Sequence, residues 1–117
     1  MDFRHLRYFV AIAEEGTFTR AARRLYIAQP ALSKQIHDLE EEIGVRLLVR
    51  SARGAALTAP GAELLEHARS LLKAEEVART RIRGLAATRA PAEGVLPLRA
   101  KSKAAHTDPY ERGRAVA

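Results

Sequence analysis

A mainly α-helical fold is predicted by three observations. Apolar residues recur at helical spacing in three successive segments between residues 3 and 43. A glycine-marked stretch between residues 47 and 58 has short strand-like flanks. Beyond its first turn, the segment from residue 59 meets no breaker before Gly84 and carries a heptad-like pattern. In that order, three helices, a short β-hairpin wing and a long dimerising linker helix make a winged helix-turn-helix with a helical extension.

Asp2 can cap a first helix that runs to about Glu15, where Gly16 supplies a left-handed stop. Phe3, Leu6, Phe9, Val10 and Ala13 form its core face, and Tyr8 with Ile12 lie on another side, expected to cover the long helix. Thr17 or Thr19 can cap a short second helix through Leu25, with Phe18, Ala21, Ala22 and Leu25 turned inward and the two alanines permitting close crossing. Tyr26, Ile27 and Ala28 make a tight turn. Pro30 then suits a first helical position, because its missing N–H would have had no helical partner. In this third helix Leu32, Ile36, Leu39 and Ile43 step by four, three and four toward the core, and Gly44 ends it. Leu47 to Arg50 and Ala56 to Thr58 are strand-like and flank a loop of residues 51–55 with Gly54 at its turn. Thr58 caps the long helix, with Pro60 and Gly61 tolerated in its first turn.

Along that last helix Leu64, Ala68, Leu71, Glu75, Ala78, Ile82 and Leu85 alternate steps of four and three, with Leu65 and Leu72 widening the seam. At 1.5 Å per residue it would be about 44 Å long, more than so small a domain can cover, so its apolar edge is expected to meet a second copy. Leu64, Ala68, Leu71, Ala78, Ile82 and Leu85 are the expected dimerisation residues; Glu75 is a polar flaw among them.

A chain of 117 residues holds one small domain and an appendage. The net charge of +6 divides unevenly: nine basic and seven acidic groups in residues 1–58, five and four in 59–88, six and three in 89–117. Global charge therefore says little about a partner, and the placement of individual cations has to decide. With no cysteine, disulfides and thiolate metal sites are excluded. His5, His37, His67 and His106 lack metal-ligand spacing, no glycine-rich phosphate loop occurs, and no histidine is set to activate a serine, so neither an enzyme nor a cofactor is expected. The start lacks the apolar core of a signal peptide and no run approaches a membrane span, so no membrane partner and a cytoplasmic location are expected.

The chemistry is concentrated on the outward side of the third helix. Pro30, Ser33, Lys34 and His37 fall opposite the apolar stripe at 100° per residue. Ser33 can donate or accept, Gln29 and Gln35 can pair with a base edge bidentately, and Lys34 can reach a guanine or a phosphate. A single solvated face carries no more than solubility. Here, however, Glu40, Glu41 and Glu42 close the far end to phosphates, while the amino-terminal end has the dipole and N–H groups that favour anions. Arg20, Arg23 and Arg24 flank this helix on one side and Arg50 and Arg53 on the other, as phosphate positioning requires. Arg53, beside a hairpin glycine, is narrow enough for a minor groove. Arg20, Gln29, Pro30, Ser33, Lys34, Gln35, Arg50 and Arg53 are the expected DNA-binding residues.

Many of these motifs in this order resemble the amino-terminal DNA-binding domain of LysR-type transcriptional regulators. The resemblance rests on Leu6-Arg7-Tyr8-Phe9, the run from Gly16 to Ala22, the run from Gln29 to Ile36, Leu39-Glu40, Gly44-Val45, and Arg50 to Gly54 with Leu57-Thr58, and it covers residues 1 to about 88. It implies a bacterial regulator that pairs through the linker helix and binds double-stranded DNA at an interrupted inverted repeat. Ala28 departs from the serine frequent at its position, and Ala59-Pro60-Gly61 from the usual order at the linker's start. Such regulators continue into an effector-binding domain of two α/β lobes after a Gly-x-Leu sequence. Gly94-Val95-Leu96 looks like that opening, and then Pro97 ends the likeness.

The expected organisation is a DNA-binding domain over 1–58, a dimerisation helix over 59–88 and a disordered tail over 89–117, without an effector-binding domain or a bound small-molecule effector. Two alternatives accompany the regulator: a fragment that competes for DNA sites without ligand control, and a coiled-coil module that meets a protein.

Overall fold

The structure is a computed structural model that describes residues 1–88 and 95–98. Its elements are α1 (Phe3–Glu15), α2 (Phe18–Leu25), α3 (Gln29–Ile43), β1 (Leu48–Ser51), β2 (Gly54–Leu57) and α4 (Ala59–Thr88). The chain divides into two units, Met1–Thr80 and the segment from Arg81 onward, the boundary falling within α4. The expected tail lies outside the described residues except for residues 95–98, which are exposed and form neither helix nor strand.

Side-chain caps set the helix starts. The Asp2 carboxylate accepts the His5 N–H at 2.8 Å while the Asp2 N–H donates back to His5 Nδ1 at 3.4 Å, a reciprocal capping box around α1. Thr17, rather than Thr19, caps α2 by accepting the Arg20 N–H at 3.1 Å. Gly16 and Gly44 end α1 and α3 in the left-handed conformation. Tyr26 ends α2 the same way, at φ 58°, and among the described residues it is the one non-glycine with positive φ. A tyrosine there is strained relative to glycine, and the turn between α2 and α3 fixes it nonetheless.

Phe9, Ala11, Ile12, Phe18, Ala21, Ala22, Leu32, Ile36, Leu39, Leu47 and Leu48 form the main core, drawn from α1, α2, α3 and the start of the hairpin. Two expectations change here. Ile12 is fully buried in this core, against which Tyr8 of α1 and Leu64 and Leu65 of α4 also pack, and Leu6 and Val10 of α1 join Ala68 of α4 in a second cluster. Phe3 and Ile43 stay largely exposed, Phe3 near the start of α1 and Ile43 in the last turn of α3, beyond the reach of the core. Leu47, not Ile43, joins Leu39 in the core.

The hairpin is tighter than the sequence suggests. Leu48 pairs with Leu57 and Ser51 with Gly54, so Gly54 is the first residue of β2 and the tip is Ala52-Arg53. Its glycine answers a packing demand: a Cβ at Gly54 would lie 2.6 Å from the Gly16 carbonyl oxygen, which accepts the Ala55 N–H at 2.9 Å. The wing is thereby tied to the α1–α2 turn. Thr58 caps α4 as expected, accepting the Gly61 N–H at 3.0 Å. Gly61 itself is required rather than tolerated, because a Cβ there would stand 2.1 Å from the Leu47 carbonyl oxygen.

Candidate nucleic-acid interface

The site is built on the first two turns of α3. Ala28 occupies the N-cap position without a side-chain hydrogen bond, Gln29 is the first helical residue and Pro30 the second. The supply of free N–H groups at this helix head is small. Pro30 has none, and Ala31 and Leu32 both donate to the Ala28 carbonyl, at 3.0 and 3.1 Å, which leaves that of Gln29. What the helix head offers is therefore chiefly side chains. Gln29, Pro30 and Lys34 are exposed and Ser33 is half-buried on the same side. Gln35 is also half-buried, on the opposite flank from Ser33 at 100° per residue, so it stands apart from that group.

Two of these side chains have partners inside the chain. Lys34 Nζ donates to Asp38 Oδ2 at 2.9 Å, one helical turn on. That hydrogen bond raises the Lys34 pKa and holds the Asp38 carboxyl below its ordinary value, so both stay charged at neutral pH. Ser33 Oγ accepts a hydrogen bond from Arg50 Nη2, and the Arg50 guanidinium lies 3.5 Å from the centroid of the Phe18 ring. Arg50, the third residue of β1, thus lies over Phe18 of α2 and is bonded to α3.

The other cations separate into two groups. The guanidinium groups of Arg20, Arg23 and Arg53 are exposed and make no ion pair among the described residues. Arg24 is occupied: it bridges Glu14 at 2.9 Å and Glu15 at 3.2 Å, and the Glu14 hydrogen bond is the main reason its pKa is raised. This removes it from the set of open cations that the sequence put on α2.

At the far end of α3 the acidic run is not uniform. Glu41 and Glu42 are exposed, but Glu40 turns inward and its Oε2 accepts the N–H groups of Leu47 at 2.8 Å and Leu48 at 3.1 Å. Arg46 approaches the same carboxylate at 3.7 Å. Glu40 therefore anchors the entry to β1, a role that a sequence run of three glutamates conceals.

The expected dimerisation residues also divide. Ala68 is fully buried, and Leu64 partly, against Leu6 and Val10 of the same chain, so these two positions serve the subunit's own packing. Leu71 is exposed beside Phe3 and Met1 in the first unit. Val77, also in the first unit, is a further exposed apolar residue outside the expected seam, and in the second unit Ile82 and Leu85 are exposed.

The sequence model of the bacterial regulatory helix-turn-helix proteins of the lysR family matches residues 3–62, more than half of the chain and all of the elements from α1 to the start of α4. The chain belongs to the LysR family. It is 53% identical over 83 residues to the HTH-type transcriptional regulator ClcR of Pseudomonas putida, a match covering 71% of this chain and 28% of that protein. It is 56% identical over 90 residues to the HTH-type transcriptional regulator TfdS of Cupriavidus pinatubonensis, covering 76% of this chain and 30% of the relative. The chain thus spans about 30% of the length of these LysR regulators. Among solved structures, the DNA-binding domain of BenM in complex with catB site 1 DNA superposes with a TM-score of 0.74 at 44% identity, over 76% of this chain and 100% of that one. The CbnR DNA-binding domain in complex with DNA gives 0.66 at 47% identity, with the same two coverages of 76% and 100%. The fold is accordingly that of LysR DNA-binding domains, a winged helix followed by a long helix. No helix among the described residues is long and apolar enough to cross a membrane.

Proposed function

We propose that this chain is a sequence-specific DNA-binding transcriptional regulator of LysR type, which reads an interrupted inverted repeat as a homodimer. The observation that carries this reading is the exposed head of α3, where Gln29, Pro30, Ser33 and Lys34 share one side, together with the exposed cations Arg20 and Arg23 on α2 and Arg53 at the wing tip. A helix end of this width enters a major groove, with polar side chains toward base edges and flanking arginines toward phosphates. Arg53, at the two-residue tip, reaches the adjacent minor groove, where a narrow A·T-rich segment concentrates negative potential. Solved complexes of the BenM and CbnR DNA-binding domains with DNA support this assignment. The function resides in binding, in keeping with relatives that are named as transcriptional regulators.

The exposed apolar positions of α4 support pairing. Leu71, Ala78, Ile82 and Leu85 have the spacing of a helix seam, and a second copy is the partner that places two reading helices on two half-sites.

Selection of bound duplexes from a random pool, followed by titration over a salt series, tests the function. The expected result is one enriched motif with two half-sites and an affinity that falls steeply with salt. Recovery of no preferred motif, or binding insensitive to salt, contradicts it.

A further inference from the structure

Side chains alternate along β1: Leu48 is buried in the core, Val49 is exposed on the other face, and Arg50 returns to the face of Leu48. That alternation carries the Arg50 side chain over α2 and α3, where it remains exposed. Its guanidinium carbon lies over the Phe18 ring, 3.5 Å from the centroid, and its Nη2 donates to Ser33 Oγ. Phe18 is itself buried as the first residue of α2, directly after the Thr17 cap. The two uses of the guanidinium, face on an aromatic ring and edge toward a hydroxyl, are ones that a lysine ammonium cannot reproduce together.

The consequence falls on Ser33. A serine hydroxyl has one donor and two acceptor positions. With Arg50 donating to the oxygen, one of the two acceptor positions is filled by a cation whose charge disfavours a second donor at the other, and the O–H is polarised into a better donor. We propose that Arg50 is a positioning residue that fixes Ser33 as a hydrogen-bond donor toward a base acceptor in the major groove, and is not a phosphate contact. Guanine N7 or O6, adenine N7 and thymine O4 are such acceptors, whereas the cytosine N4 amino group is not. The inference rests on the DNA-reading function proposed above and states which chemical edge one of its side chains selects. Arg53, at the same wing with no ion pair among the described residues, is the contrasting case of an arginine left open for DNA.

The test uses the full chain with its selected duplex and a set of duplexes that change one base pair at a time, titrated at several salt concentrations. Ser33→Ala identifies the base pair at which discrimination is lost. Arg50→Lys retains the charge but not the planar fork. It should lose roughly tenfold discrimination at that same base pair, keep the salt slope of the parent, and add no further loss when combined with Ser33→Ala. Arg50→Ala should behave like Arg50→Lys, with thermal unfolding checking that both remain folded; if the alanine variant unfolds, the lysine variant alone decides. Parent-like affinity and discrimination in Arg50→Lys, or a salt slope lowered by about one in Arg50→Ala, would make Arg50 a phosphate contact and overturn the proposal. Failure of the parent to prefer any duplex removes the DNA-reading function and this inference together, whereas a selective parent with a parent-like Arg50→Lys removes only the role of Arg50.

Discussion

The head and the foot of α3 use polar groups in opposite ways. At the head, Gln29, Pro30 and Lys34 are exposed, Ala28 provides no side-chain cap, and the polar groups have few internal duties. At the foot, the Glu40 carboxylate holds the Leu47 and Leu48 N–H groups, the Leu47 carbonyl accepts the Thr58 N–H at 3.0 Å, and Gly61 lies against that same carbonyl. Both ends carry hydrophilic sequence. Only the distribution of internal hydrogen bonds shows that the foot is structural and the head is available for a partner. Substitutions at the foot should therefore move stability, and substitutions at the head should move binding.

The largest effect is expected at Gly61. A methyl group 2.1 Å from the Leu47 oxygen forces α4 away from the α3–β1 junction. Gly61→Ala should destabilise by about 1–3 kcal/mol, seen as a lower urea midpoint at unchanged slope. A stability equal to the parent's would show that this junction yields easily and would blur the contrast between the two ends.

Glu40→Ala comes next, because it leaves two backbone N–H groups without their acceptor. A loss of about 1–3 kcal/mol is expected, smaller for Glu40→Gln, which keeps a side-chain oxygen. DNA affinity per folded molecule should be unchanged in both variants, measured by anisotropy well below the unfolding transition. If Glu40→Ala instead strengthened DNA binding without a stability cost, the residue would be acting as a repulsive surface charge.

At the head, Lys34→Ala should alter stability by no more than about 0.5 kcal/mol, since its ion pair with Asp38 is exposed. Its effect should appear in DNA affinity, which is expected to fall. The salt series sharpens the result: a slope reduced by about one marks a phosphate partner, and an unchanged slope with relaxed discrimination marks a base.

The smallest effect is a pH dependence at the α1 cap. The His5 N–H holds the Asp2 carboxyl below its ordinary pKa, so Asp2 contributes stability above the unfolded value of about 4. That contribution is lost as pH falls through the lowered folded value. Asp2→Asn retains a capping oxygen without the titration, and its unfolding midpoint should fall less steeply than the parent's below pH ~4. Identical acid limbs would remove Asp2 from the account.

The helices were legible because their signals are local. Asp2, Thr17, Gly16, Gly44 and Thr58 act within a few residues of their own helix ends, and the Leu32, Ile36, Leu39 stripe is a periodicity. What the sequence could not show are relations between segments distant along the chain. Gly61 against Leu47, Gly54 against Gly16, and Glu40 below β1 are such relations, and each turned an apparently permissive or merely charged residue into a structural one. Periodicity likewise gave Ala68 a face but not its partner, so a position expected at a seam between copies is covered by Leu6 and Val10 instead. Among the candidate site residues, the sequence placed Gln29, Pro30, Ser33 and Lys34 on one side. It could not reveal that Arg50 is engaged by Phe18 and Ser33, because three elements must fold before that contact exists.

The central claim is that the head of α3 reads base edges, and discrimination by Ser33→Ala tests it most directly. Fluorescence anisotropy should be recorded for the parent and the variant on the selected duplex and on every single-base-pair change within one half-site. The account predicts that the variant loses about 1–3 kcal/mol of discrimination at one position and keeps the parent's preferences elsewhere. An unchanged preference at every position, in a variant that still folds and binds, would contradict it.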